Sequence, residues 1–107
     1  MGTESQRQTA YVLVRTDMPL PAQAVQACHA AHEAGMHYGA PPACHLVLLK
    51  VDSEDALLRA ATRLEEAGID HRLIYEPDWP VGHTALATRP LPDHERKRFG
   101  KFRLWQS

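Results

Sequence analysis

Cysteine is scarce in this chain. Cys28 and Cys44 are the two cysteines among 107 residues, too few for a disulfide framework. No apolar run is long enough to cross a bilayer, and no repeat or low-complexity tract appears. Met1 to Thr9 is polar, without the apolar core of a secretory signal. These absences make a reducing cytoplasm the expected setting, with both thiols free and no membrane partner. A charge excess is missing too. The 12 Lys and Arg nearly cancel the 13 Asp and Glu, leaving a net charge of -1, which over the whole chain gives no hint of a nucleic-acid partner. A chain of 107 residues has no room for a second core. Its 44% hydrophobic and 23% charged residues place it among globular domains rather than disordered ones. The expected organisation is a polar extension over residues 1–9 and one domain over 10–107.

What is present reads as alternating strands and helices. Ala10 to Arg15 (AYVLVR) is a short β-branched run expected to form a strand buried on both faces, ending at the turn-like Thr16-Asp17-Met18-Pro19. Pro21 suits the first turn of a helix, expected to run to about Gly35. Ala24, Val25, Cys28 and Ala31 recur at helical spacing as its small apolar stripe, and Gln26, His29 and Glu33 share another face. After the breaker Gly39-Ala40-Pro41-Pro42-Ala43, His45 to Val51 (HLVLLKV) reads as a second buried strand. Asp52 or Ser53 offers an N-cap to a second helix with Glu54 and Asp55 in its first turn, a stripe of Leu57, Ala60, Ala61 and Leu64, and Gly68 as its stop. His71 to Glu76 and His83 to Thr88 give two more strands around a turn at Pro77 to Gly82, and a helical or irregular tail closes the chain. This order predicts an α/β fold with a mostly parallel sheet, its fourth strand a candidate for antiparallel pairing, and two main helices packed on it. Binding sites in such sheets gather at the carboxyl ends of the strands, here Arg15 to Asp17, Lys50 to Ser53 and Glu76 to Trp79.

Chemistry can sit in three places. The densest cluster is Gln26-Ala27-Cys28-His29-Ala30-Ala31-His32. Cys28 and His29 point about 100 degrees apart on a helix, which argues against a shared metal ion, and Cys28 on the small-residue stripe reads as a buried, inert thiol. His29 has Gln26 one turn before it and Glu33 one turn after, where a carboxylate can orient the ring; the plainer reading is a solvated face. At the strand ends, Asp17, Glu76 and Asp78 are candidate general bases, though acids in loops are usually only solvated. Thr84 and His83, opening the fourth strand, can position a water or a substrate oxygen. The third place is the tail, where residues 96–103 hold five basic side chains and no acid, interleaved with aromatics. That pattern suits phosphate contact and base stacking, or equally a C-terminus anchored by Phe99, Phe102 and Trp105 with its charges in water.

The stretch Val12-Leu13-Val14-Arg15-Thr16-Asp17, followed by Ala24-Val25-Gln26-Ala27-Cys28-His29-Ala30-Ala31, resembles the opening of type 2 peptidyl-tRNA hydrolases, in which a strand ending R-x-D leads to a helix carrying Q-x-x-H-A. Gly68-Ile69-Asp70-His71, Glu76-Pro77, Ala87-Thr88-Arg89-Pro90 and the ending Lys101-Phe102-Arg103-Leu104 resemble the peptidyl-tRNA hydrolase domain-containing branch of that family. The resemblance implies a three-layer α/β/α fold around a four-stranded mixed sheet, a homodimer, and hydrolysis of the ester joining a peptide to tRNA. It implies no metal or organic cofactor, and tRNA rather than DNA as partner. Carried over by residue, it places Gln26, His29, Asp17, Asp78 and Thr84 in the catalytic site, with Gln26 or His29 as oxyanion donor, Asp78 or Glu76 as base and Arg15 as the source of the lost positive charge. Arg15, Glu76, His83 and the tail cations Arg96, Lys97, Arg98 and Lys101 become substrate-binding residues. The chain departs from the family pattern in two places. Ala22 stands where the glycine-rich loop of type 2 enzymes carries its active-site lysine, and the loop before the last strand is shortened to Glu76 to Thr84. Loss of one positioned donor costs about a hundredfold or more in rate, so a noncatalytic tRNA- or protein-binding module is the alternative, and a hydrolase for another small ester or amide a weaker one. The near-neutral total hides a division: residues 89–103 carry +4 and the rest of the chain -5.

Overall fold

β1 (Gln8–Arg15) lies at the centre of the fold in the computed structural model, which describes residues 7–39, 41–78 and 82–106. It is followed by α1 (Leu20–Tyr38), β2 (His45–Val51), α2 (Glu54–Glu66), β3 (His71–Glu76), β4 (Gly82–Thr88), β5 (Leu91–Pro92), a 3-10 helix (Asp93–Phe99) and β6 (Arg103–Leu104). β1 starts two residues before the expected Ala10, and α1 runs three residues past Gly35. The sheet order is β3-β4-β1-β2-β6, with β5 pairing the start of β1. It has six strands among the described residues rather than four, because the expected irregular tail adds two short ones.

The sheet is mixed, as the resemblance implies, where element order alone suggests a mostly parallel one. β1 and β2 pair in parallel, while β4 runs antiparallel to both β1 and β3, β5 to β1 and β6 to β2. The connection after Glu76 is too short for a crossover, so β3 and β4 must pair antiparallel. β4 then inserts between β3 and β1 and denies β3 its parallel neighbour.

Side chains of β1 alternate between the two faces. Val12 and Val14 meet Ala27, Ala30 and Ala34 of α1 together with Ile74, Ala85 and Ala87. Tyr11 and Leu13 meet Leu57, Ala60, Ala61 and Leu64 of α2 together with Leu49, Val51 and Leu86. The two helices therefore cover opposite faces, giving three layers. α2 begins where the sequence places it: the Ser53 hydroxyl accepts from the Ala56 N–H at 3.1 Å, and Glu54 and Asp55 occupy the turn that favours negative charge.

The buried face of α1 is not the expected one. Gln23, Gln26, Ala27, Ala30 and Ala34 face the sheet, while Val25 is 61% exposed and Cys28 is exposed. The expected inert, buried Cys28 is thus a solvent-facing thiol. One residue rotates a helix by about 100 degrees, so counting apolar residues selected the neighbouring stripe. The alanines win because their small side chains let the helix lie close on β1 and β4, and the two amides at the N-terminal end of that stripe find partners there.

The tail crosses the open edge of the sheet. Phe99 is buried and stacked on Tyr11 at 4.0 Å, Phe102 packs on the α2 side, and Trp105 packs on the α1 side. Between them β6 pairs with β2, and the Trp105 N–H donates to the Leu48 carbonyl at 3.0 Å. The anchoring role of the three aromatics is real, and the basic side chains around them remain at the surface.

Candidate active site

The carboxyl end of β1, the first turns of α1 and α2, and the start of β4 meet at one rim of the sheet. Gln26 reaches this rim from the buried stripe of α1. The Thr84 hydroxyl, fully buried at the start of β4, donates to Gln26 Oε1 at 2.6 Å. With Oε1 occupied, the Gln26 amide has only Nε2 left to offer. Nε2 has no hydrogen-bond partner among the described residues and is the donor the amide keeps for other chemistry.

Gln23, one turn earlier, is fully engaged. Its Nε2 donates to the carbonyls of Met18 at 2.6 Å and Thr16 at 3.3 Å, and its Oε1 accepts from the Trp105 indole at 2.8 Å. It ties the segment after β1 to the far end of the chain, a positioning role that sequence reading did not assign. A glutamine on the helix face that packs against the sheet was its only signal.

Arg15 and Asp17 form a two-pronged pair, with Nε to Oδ1 and Nη2 to Oδ2 both at 2.9 Å, and Arg15 Nη1 also donates to the His83 carbonyl at 3.1 Å. The Arg15 hydrogen bonds hold the Asp17 carboxyl below the usual carboxylate range, and Asp17 in turn raises the guanidinium pKa. An acid so stabilised as its anion is a poor proton acceptor.

Glu54 was read from the sequence as a helix-dipole partner only. Its Oε2 accepts the His83 backbone N–H at 2.8 Å and lies 3.3 Å from His83 Nδ1. The backbone N–H first, and then the ring, hold the Glu54 carboxyl below its usual range. The approach requires Gly82: a Cβ there would lie 2.6 Å from Glu54 Oε2, and the backbone has φ +109. With Nδ1 facing Glu54, the His83 imidazole keeps Nε2 for other chemistry, and the Tyr75 ring packs edge-on against it at 5.0 Å.

Arg15, Asp17, Gln26, His83 and Thr84 therefore come together, with Glu54 added. Glu76 sits opposite Gly82 in the β3–β4 ladder, half-buried, next to this group. Asp78 is exposed, and Trp79, expected in the same loop, lies outside the described residues along with 80 and 81. His29 is exposed and is not oriented by Glu33, whose carboxylate is taken by Arg72 at 2.8 Å. The face expected to unite Gln26, His29 and Glu33 is split, because Gln26 is turned into the core. Of the tail cations, Arg98 pairs with Glu95 at 2.6 Å, and Arg96 lies against the Tyr11 phenol, opposing the burial that raises its pKa. Lys97 and Lys101 are exposed without an ion pair among the described residues. No group of three or more His, Cys, Asp or Glu among the described residues is placed to hold a metal ion.

The sequence profile of the family described as Peptidyl-tRNA hydrolase PTH2 matches residues 8–105. The chain belongs to that family. A solved structure of a protein of unknown function from Agrobacterium tumefaciens strain C58 superposes with a TM-score of 0.72 at 14% identity, covering 92% of this chain and 98% of its own. That likeness extends the PTH2 fold match but says nothing of activity. No protein of curated function matches the chain in sequence. Ala22, expected from the resemblance at the family's lysine position, is half-buried and packed on the α1-side core. Arg15, held by Asp17 and the His83 carbonyl, is the cation that the described residues place beside Gln26 and Thr84 at this rim.

Proposed function

We propose that the chain hydrolyses the ester between a peptide and the 3′ end of tRNA by attack of an activated water, at the rim between β1, α1, α2 and β4. The observation that carries this reading is the Thr84–Gln26 hydrogen bond at 2.6 Å. It fixes the amide and leaves Nε2 as a preset donor for the oxygen that becomes negative when water attacks the ester carbon. Arg15 adds positive charge beside it, and Asp17 keeps that guanidinium in place. His83, with Glu54 at Nδ1, accepts the water's proton at Nε2 and returns it to the departing ribose oxygen. His29 and Asp78 stand outside this scheme, and Glu76 borders it. The reading carries with it a cytoplasmic protein, tRNA as partner, and a homodimer, for which light scattering should give twice the chain mass.

The test is direct. Purified protein is mixed with N-acetylated lysyl-tRNA, and release of deacylated tRNA is followed. Turnover that is lost in His83→Ala and Gln26→Glu supports the assignment; release no faster than in those variants rejects it. Ala22 at the lysine position favours a second reading, a tRNA-binding module without chemistry. That reading gains if tRNA binds with strong salt dependence while no ester is cleaved.

A further inference from the structure

The groove between α2 and the tail collects positive charge that forms no ion pair among the described residues. It encloses about 460 Å³ and is lined by Lys50, Arg59, Arg63, Lys101 and Arg103, with Asp52 as its one acid and the half-buried Phe102 in its floor. These five cations come from β2, two turns of α2 and the tail, and none has an ion-pair partner among the described residues. Two of the juxtapositions are unfavourable in themselves. Lys50 and Arg103 are direct partners across the β2–β6 ladder, a like-charge pairing that repels. Arg59 and Arg63 stand four residues apart on α2, again a repelling arrangement. Asp55 and Glu66 share an adjoining depression with the two arginines, yet neither forms an ion pair with them. The groove continues past Ala60 and Phe102 into a second one lined by Arg63, Lys97, Arg98 and Lys101.

We infer that this groove holds the phosphodiester backbone of the tRNA substrate, an inference that rests on the reading above. Its placement follows from the chain. The groove opens at Val51 and Asp52, where β2 hands over to α2, two residues before Glu54, which meets His83 at the catalytic rim. A strand lying along the groove thus leads its end toward that rim. Arg59 and Arg63 are spaced by about 6 Å along the helix axis, which suits successive contacts along a chain of phosphates. A run of anions brought among these five cations relieves both like-charge contacts at once. A nucleic-acid strand fits this better than an acidic protein surface, because the basic groove continues past Ala60 and Phe102 into a second one lined by Lys97 and Arg98.

The test compares wild-type protein with Arg59→Gln/Arg63→Gln, measuring binding of deacylated tRNA by fluorescence anisotropy across a salt series, with melting temperature as the folding control. The variant should bind tRNA at least tenfold more weakly, with a log Kd against log salt slope shallower by about two. Affinity for a CCA trinucleotide, too short to fill the groove, should move less than twofold. Unchanged tRNA affinity overturns the inference, as does an equal loss for the trinucleotide, or a groove that binds phosphatidylserine vesicles in preference to tRNA. Binding is measured without ester cleavage, so the two readings fail separately. Absent turnover with groove-dependent binding removes the hydrolase and keeps the groove; turnover with groove-independent binding does the reverse.

Discussion

Thr84 contributes a fully buried hydroxyl whose one described partner is Gln26. Removing one member of a buried pair leaves the other unsatisfied, at a cost of about 1–3 kcal/mol. Thr84→Val should therefore lower stability by about that amount and free the Gln26 amide to turn, whereas Thr84→Ser, which keeps the donor, should restore the hydrolytic rate more fully than the melting temperature. Equal rates in the Val and Ser variants would mean that the hydroxyl only fills space. Gly82 gives a second expectation at this scale. Alanine there meets Glu54 Oε2 at 2.6 Å and must hold φ +109, so Gly82→Ala should push Glu54 from His83. The His83 ring resonances at a fixed pH should then resemble those of Glu54→Gln.

At the scale of elements, the tail is a clip as well as a charged surface. Trp105 donates to Gln23, and Gln23 holds the carbonyls of Thr16 and Met18 on either side of Asp17. Trp105→Phe keeps most of the apolar packing but loses that hydrogen bond, and it should raise hydrogen exchange in the segment after β1 more than in β4. A uniform rise would indicate general loosening instead. The elements themselves were largely legible in the sequence, because β-branched runs, the Ser53 cap and the Gly68 stop act locally. The buried face of α1 was not. Its choice depends on Ala27, Ala30 and Ala34 fitting a sheet whose order the sequence does not state, and on Gln26 meeting Thr84 from 58 residues away. Element order alone overstates the parallel character of the sheet for the same reason, since inserting β4 between β3 and β1 is a long-range event; the mixed sheet implied by the resemblance is the one found. Of the site, the R-x-D and Q-x-x-H-A spacing pointed to Arg15, Asp17 and Gln26. Glu54 stayed hidden because its place in the first turn of α2 already had a sufficient local explanation.

For the whole molecule, the tail cations Lys101 and Arg103 join Lys50, Arg59 and Arg63 of β2 and α2 in one basic groove, beside a rim where Asp17 and Glu54 are held as anions. Asp17, Glu54 and Glu95 all have pKa values lowered by hydrogen-bonded or charged neighbours. Each group favours the folded state above its unfolded pKa, near 4, and that contribution disappears as pH falls through the lower folded value. Stability should therefore be flat from about pH 5 to 7 with respect to these groups and fall below about pH 4. Arg15→Gln should flatten the acid limb of the unfolding free energy, because Asp17 loses its partner; an unaltered limb would show that the pair contributes nothing to acid stability.

The central claim is that Gln26 Nε2 stabilises the oxyanion formed when water attacks a peptidyl-tRNA ester. Gln26→Glu keeps an oxygen for the Thr84 hydroxyl and removes the amide donor. Single-turnover cleavage of N-acetylated lysyl-tRNA by wild type and this variant, at protein concentrations that saturate the tRNA, isolates that donor from binding. The account predicts a loss of about a hundredfold to a thousandfold in the cleavage rate, with tRNA affinity kept within a few fold. A variant that cleaves as fast as wild type would contradict it.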